Sequence, residues 1–159
     1  MAAESPGAPP VTVSPEQFLQ MGRDTLARQP FSVLIDAHLA ALAPGRCQLE
    51  LPITESLKQH LGFVHGGVLS YLADNALTYA GGTAMRVPVV TSEFKINYVR
   101  PAIGERLVAR AEATYAGNSQ AVCRCDVFVV ADGHEKLCAI AQGTIVRLPQ
   151  ADPNGSWNS

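Results

Sequence analysis

Charge is scarce in this chain. Only 16% of its 159 residues are Asp, Glu, Lys or Arg, while 47% are hydrophobic. The 12 basic and 14 acidic residues nearly cancel to a net charge of −2, and Lys and Arg form no run. That excludes the basic footprint of a nucleic-acid-binding surface. Sparse charge also leaves room for a buried contact between subunits. Long apolar runs are missing too: none approaches the roughly 20 residues that span a bilayer. The start, Met1-Ala-Ala-Glu-Ser-Pro, lacks the basic and apolar regions of a signal peptide, so a cytoplasmic protein is expected. The cysteines Cys47, Cys123, Cys125 and Cys138 contain no C-x-x-C. Cys123 and Cys125 are two apart on a strand-like run, point the same way and are poorly placed to bridge. Buried, reduced thiols are the expectation. The histidines His38, His60, His65 and His134 are scattered without zinc-ligand spacing, so no metal is expected. The G-x-S-x-G elbow, the dinucleotide fingerprint and the P-loop are all absent. No internal repeat is visible.

What is present reads as one domain. Residues 1–13, with Pro6, Pro9 and Pro10, predict a disordered arm; residues 14–148 predict the domain; residues 149–159 predict a flexible tail. Ser14-Pro15-Glu16-Gln17 has the chemistry of a helix start: Ser14 as N-cap, Pro15 at N1, Gln17 at N3. That helix should stop near Gln29-Pro30. Phe31–Ala43 and Arg46–Ile53, separated by the Pro44-Gly45 turn signal, predict a hairpin. A loop of about ten residues, Thr54–Val64, leads to a long helical run. After that run the period changes to two. Four strands are predicted, around Val90–Tyr98, Arg106–Tyr115, Cys123–Val129 and Cys138–Val146, with turn chemistry at 100–104, 116–119 and 131–133. In the first of these, Val90, Ser92, Phe94, Ile96 and Tyr98 share a face. Six strands and one long apolar helix predict an α+β architecture: an antiparallel sheet curled around that helix, plus an N-terminal helix. Ala109, Ala111 and Ala113 would allow close approach at the sheet. An edge strand could pair with that of a second subunit.

The whole chain turns on Gln59 to Gly82. His65-Gly66-Gly67 opens a helix predicted over Val68–Ala80 and stopped by Gly81-Gly82. A glycine-led start leaves backbone N–H groups that no side chain covers, at the positive pole of the helix dipole. Such a place can hold negative charge developing on an oxygen. At 100° per residue, Val68, Leu69, Leu72, Ala76, Tyr79 and Ala80 fall on one face. Ser70, Asp74 and Thr78 form a stripe on the other, flanked by Tyr71 and Asn75. Asp74 is the only formally charged residue of the run. Spacing leaves it open as a solvated surface carboxylate or as one facing a second subunit or a substrate tunnel. His65 is open as a hydrogen-bonded structural residue or as a general base, and Ser92 as a satisfied strand serine or a site residue.

The segment resembles the hotdog-fold acyl-CoA thioesterases of the phenylacetate-degradation (PaaI-like) type. Their pattern is Asn or Gln, then H-G-G six residues on, then Asp nine residues after the His. Here these are Gln59, His65-Gly66-Gly67 and Asp74. The strand Thr91-Ser-Glu-Phe-Lys-Ile-Asn-Tyr-Val-Arg-Pro-Ala102 is similar to the family's third strand, with its Tyr-x-x-Pro-Ala ending and an early Ser matched by Ser92. The likeness spans about Ala37 to Leu148. Gln59 stands where many members carry Asn, which gives it a longer reach.

The resemblance implies hydrolysis of an acyl-CoA, aromatic or medium to long chain, to free acid and CoA. The Gly66 N–H would polarise the thioester carbonyl. Asp74, from a partner subunit, would act as nucleophile or as general base. Gln59 would hold the carbonyl or the water, Ser92 would position water, and His65 would fix the loop. Gly67, Arg100, the Gly117-Asn118-Ser119 turn, Phe63, Tyr71 and Tyr79 are the implied substrate neighbours. No cofactor is implied beyond CoA as part of the substrate, and the protein would be a dimer or dimer of dimers. A thioester is less resonance-stabilised than an ester or amide, so a carboxylate can suffice. The rate should fall on the acid side as Asp74 protonates. A hydratase or dehydratase on the same thioesters, or a non-catalytic acyl-CoA-binding protein, are the rival readings.

Overall fold

A computed structural model describes residues 13–149. The expected arm and tail lie, apart from Val13 and Pro149, outside the described residues. The first helix, α1 (Pro15–Ala27), starts as its sequence predicts. The Ser14 hydroxyl accepts from the Gln17 N–H at 3.2 Å, and the Gln17 side chain accepts from the Ser14 N–H at 2.9 Å. Pro30 then opens a second short helix, α2 (Pro30–Leu34), where a strand is predicted from Phe31. The strand β1 begins only at His38 (His38–Ala43) and turns at Gly45 into β2 (Arg46–Pro52). Proline at the first helical turn is compatible with a helix, and that chemistry outweighs the apolar run that follows it.

The remaining elements are a single 3-10 turn (Glu55–Leu57), the long helix α3 (Gly66–Met85), and the strands β3 (Val89–Tyr98), β4 (Arg106–Ala116), β5 (Gln120–Ala131) and β6 (His134–Arg147). The six strands form one antiparallel sheet in the order β1-β2-β4-β5-β6-β3. This is the sheet wrapped around α3 that the pattern predicts, and the hotdog architecture that the resemblance implies. Leu49, Leu51, Leu107, Ala109, Ala111, Cys123, Cys125, Val127 and Ile145 line its inner side against Leu69, Leu72, Ala73, Ala76, Leu77 and Ala80 of α3. The four cysteines are free and buried. Burial pushes the thiols of Cys123 and Cys138 up to about 11.

Gly81-Gly82 does not end α3, which runs on to Met85 and a left-handed cap at Arg86. Gly81 is a close-approach residue. A Cβ there would lie 2.7 Å from the Cβ of Ile145 on β6, so the glycine lets helix and sheet touch. The two edges of the sheet differ. Against β1 lies α1, with Arg23 donating to the Leu39 carbonyl at 3.0 Å. Beside β3 no further strand lies among the described residues. None of the helices among the described residues is long and apolar enough to cross a membrane.

Candidate active site

The loop before α3 delivers the helix start. Gln59 and Phe63 close it, with the Gln59 N–H donating to the Phe63 carbonyl at 2.9 Å and Gly62 taking a positive φ of 86°. The Gln59 side-chain oxygen accepts from the Leu61 N–H at 2.9 Å, which leaves its NH2 group free of partners among the described residues. Val64 and His65 then anchor the loop, their N–H groups donating to Ala102 and Leu57. His65 is the N-cap of α3. Its Nδ1 accepts from the Gly67 N–H at 2.9 Å, so in this geometry only Nε2 is left to donate. One of the N–H groups expected to be uncovered is therefore covered. The Gly66 N–H has no partner among the described residues and stays available at the positive end of the helix.

Along α3 the polar stripe is neither bare nor free. It lies half-buried against β3, and each of its three residues meets that strand. Ser70 contacts the Tyr98 hydroxyl at 2.6 Å, and Tyr98 in turn donates to the Gly66 carbonyl at 3.0 Å. Asp74 Oδ1 accepts from the Thr91 hydroxyl at 2.7 Å, while Thr78 Oγ1 stands 2.8 Å from the same hydroxyl. The side chain that reaches Asp74 is thus Thr91, not Ser92. The register of β3 against β6 shifts between Thr91 and Glu93, which makes Ser92 an exposed bulge residue. The shared face becomes Thr91, Phe94, Ile96 and Tyr98. No residue in the sequence marks the bulge; it appears only when β3 is aligned with its neighbour.

The remaining predicted residues separate into two ends. Phe63, Gly66, Leu69, Tyr98, Arg100 and Ala102 line a cavity of about 410 Å³ at the N-terminus of α3. Arg100 there donates to the Leu137 carbonyl at 3.0 Å. The Gly117-Asn118-Ser119 turn lies at the opposite end of the sheet, where the Arg147 N–H donates to the Ser119 carbonyl. One subunit therefore does not bring it to Arg100. Tyr71 lies edge-on to Phe31, with centroids 5.0 Å apart, and its hydroxyl donates to Ser32, joining Gln29 and Asn75 in one network. Tyr79 turns instead to α1, donating to the Gly22 carbonyl at 2.9 Å. Burial raises the pKa of that phenol.

Known proteins share this fold. Residues 61–135 match the Thioesterase superfamily. Acyl-coenzyme A thioesterase 13 of Homo sapiens is 35% identical over 121 residues, 75% of this chain and 84% of that protein. A thioesterase family protein from Silicibacter pomeroyi superposes with a TM-score of 0.77 at 36% identity, covering 81% of this chain and 96% of its own. A variant of the phenylacetic acid degradation protein PaaI from Thermus thermophilus superposes with a TM-score of 0.66 at 33% identity, covering 76% of this chain and 100% of its own. At 35% identity over 75% of this chain, and with residues 61–135 matched, this chain belongs to the Thioesterase superfamily.

Proposed function

We propose that this chain hydrolyses an acyl-CoA to the free acid and CoA, with Gly66 of one subunit and Asp74 of its partner acting on one thioester. One observation carries this reading: the free Gly66 N–H and Asp74 lie on the same helix, eight residues apart, beside a sheet edge that nothing covers among the described residues. Eight residues of helix are about 12 Å. A hydrogen-bond donor and an attacking group must both lie about 3 Å from the reacting atoms. Within one chain these two groups cannot serve the same carbonyl.

A two-fold pairing of β3 with its copy removes the mismatch. Gly66 sits beside Tyr98, and Asp74 sits beside Thr91. Placing Thr91 opposite the partner's Tyr98 puts the two-fold axis between Phe94 and Lys95. Each end of the paired strands then holds one Gly66 and one Asp74. The same operation carries the Gly117–Ser119 turn of one subunit toward Arg100 of the other, where the CoA portion would lie. The expected dimer is thus a continuous sheet, and a dimer of dimers is compatible with it.

In the reaction the Gly66 N–H donates to the thioester oxygen as it gains charge. Asp74 either attacks the carbonyl carbon, forming a mixed anhydride that water then opens, or takes the proton of an attacking water. In both routes the C–S bond breaks and CoA leaves as thiolate. The Gln59 NH2 would hold the carbonyl or the water, and Ser92, next to Thr91, would position water. The imidazole of His65 already uses Nδ1 to cap the helix, which weighs against a hydratase built on that histidine. The test is thiol release from aromatic and straight-chain acyl-CoAs, with wild type beside Asp74→Ala. Turnover should fall by about 10²–10⁴-fold in the variant, as for loss of a general base, and should decline on the acid side in wild type. Turnover equal to wild type in Asp74→Ala overturns the assignment. Tight acyl-CoA binding without thiol release would establish the binding-protein reading.

A further inference from the structure

Three short oxygen contacts around Asp74 share only two hydroxyl hydrogens. Thr91 Oγ1 lies 2.7 Å from Asp74 Oδ1. Thr78 Oγ1 lies 2.8 Å from Thr91 Oγ1 and 2.9 Å from the Asp74 carbonyl oxygen one turn back. Each threonine has a single hydrogen to donate. A carboxylate is the strongest acceptor present, and the contact to it is the shortest of the three, so the Thr91 hydrogen points to Oδ1. Thr91 Oγ1 then faces Thr78 Oγ1 at 2.8 Å with lone pairs only. Two bare oxygens at that distance repel. The hydrogen of Thr78 must fill the gap, which draws it away from the Asp74 carbonyl. That carbonyl is not orphaned, because it accepts the Thr78 backbone N–H as part of the helix.

Five residues along, Thr83 shows what the same side chain does without this conflict. Its hydroxyl lies 2.7 Å from the Tyr79 carbonyl and 3.1 Å from that of Ala80, and it accepts the Gly45 N–H at 3.1 Å. That one hydrogen meets only backbone carbonyls, with no second hydroxyl or carboxylate beside it, and the hydroxyl ties α3 to the β1–β2 turn.

We propose that Thr78 is a positioning residue: its hydroxyl orients that of Thr91, which holds Asp74 Oδ1 and leaves Oδ2 as the reacting oxygen. Oδ2 has no hydrogen-bond partner among the described residues. The inference rests on Asp74 being the acting carboxylate, as proposed above. Removing the Thr78 hydroxyl lets the Thr91 hydroxyl rotate and frees the carboxylate to turn, so kcat falls while substrate affinity stays.

The experiment is steady-state thiol release on the best substrate of the acyl-CoA panel. It compares Thr78→Val, Thr78→Ser, Thr91→Val, the Thr78→Val/Thr91→Val double variant, Thr83→Val and Asp74→Ala. Thr78→Val keeps the shape of the side chain and should lower kcat about tenfold, the scale of one hydrogen bond, with KM within about twofold. Thr78→Ser should restore kcat to within about twofold of wild type, since it returns the hydroxyl. Adding Thr78→Val to Thr91→Val should cost nothing further, because the two act in series. Thr83→Val should lower the melting temperature and leave kcat in place. Wild-type kcat in Thr78→Val, with Asp74→Ala inactive, overturns the role of Thr78 alone. So does a Thr78→Ser variant as slow as Thr78→Val, or losses that add in the double variant. Full turnover in Asp74→Ala overturns the underlying reading and this inference with it.

Discussion

The two halves of α3 are built of similar residues and do different work. The first half, from Gly66 to Thr78, sets a free N–H, a carboxylate and three hydroxyl-bearing contacts against the open edge strand β3. The second half, from Tyr79 to Met85, sets Tyr79, Gly81 and Thr83 against α1, Ile145 and the turn at Gly45. Both halves carry glycine, threonine and tyrosine. Position along the sheet separates them: the first faces a strand with one side unpaired, the second faces completed structure. Polar groups at an unpaired edge keep hydrogens or lone pairs to offer, and polar groups against completed structure do not.

The sharpest way to separate the halves is to change one glycine in each. Gly66→Pro deletes the proposed oxyanion donor and keeps the helix, since proline suits N1 and His65 already has the extended backbone it requires (φ −63°, ψ 134°); its Cβ would come 3.3 Å from the ring of Tyr98, a 52% exposed side chain that can give way. The expected loss is about 10²–10³-fold in kcat, with little change in melting temperature. Mixing Gly66→Pro with Asp74→Ala subunits after co-refolding should then return about one quarter of wild-type turnover. Half of a random mixture is heterodimer with one intact site of two. No recovery on mixing would place both groups in one subunit and break the shared-site geometry.

In the second half, Gly81→Ala should act on stability alone. Its Cβ would meet the buried side chain of Ile145 at 2.7–2.9 Å, and overpacking of this kind costs about 1–3 kcal/mol. A denaturant midpoint that falls while kcat per folded enzyme holds would sharpen the contrast. A fall in kcat would show that the halves are coupled.

The smallest effect is expected on the outer face of the sheet. There Arg110 makes a paired contact with Glu135 at 2.6 and 2.7 Å, and its guanidinium also reaches Gln48 and lies over Phe128. The hydrogen bonds from Arg110 hold the Glu135 carboxyl below the usual carboxylate range. Its contribution is therefore present above the unfolded pKa of about 4.3 and is lost as pH falls through the lower folded value. Side-chain exposures of 42% and 37% mean strong screening. Glu135→Gln should cost less than about 1 kcal/mol at pH 7, and melting curves of the two proteins should converge as pH falls through the lowered folded value. A larger cost would give this polar surface a weight that its exposure does not predict.

Several features were legible from residue order. The α1 start follows from local capping chemistry, in which Ser14 and Gln17 bond each other within one turn. The β5–β6 turn at Asp132-Gly133, both at positive φ, is equally local. The stripe of Ser70, Asp74 and Thr78 follows from helical period, and its pairing with His65-Gly66-Gly67 follows from family resemblance. Other features were not legible. Pro30 marks an interruption, but residue order does not show that Ser32 is buried beneath Tyr71 of α3, a contact that accompanies the helix. Glycine at 81 and 82 is a stop signal in isolation and a contact surface once Ile145 and Val89 stand opposite.

The division has one physical cause. Interactions between residues three or four apart along the chain are present in any conformation that forms the element, so residue order specifies caps, periods and turns. The choice of Thr91 over Ser92 as the partner of Asp74 depends on a one-residue shift between β3 and β6, which are joined only across the sheet. The place of Asp74 beside an open edge depends on strand order, not strand sequence. Those are long-range contacts, and their geometry exists only in the folded chain.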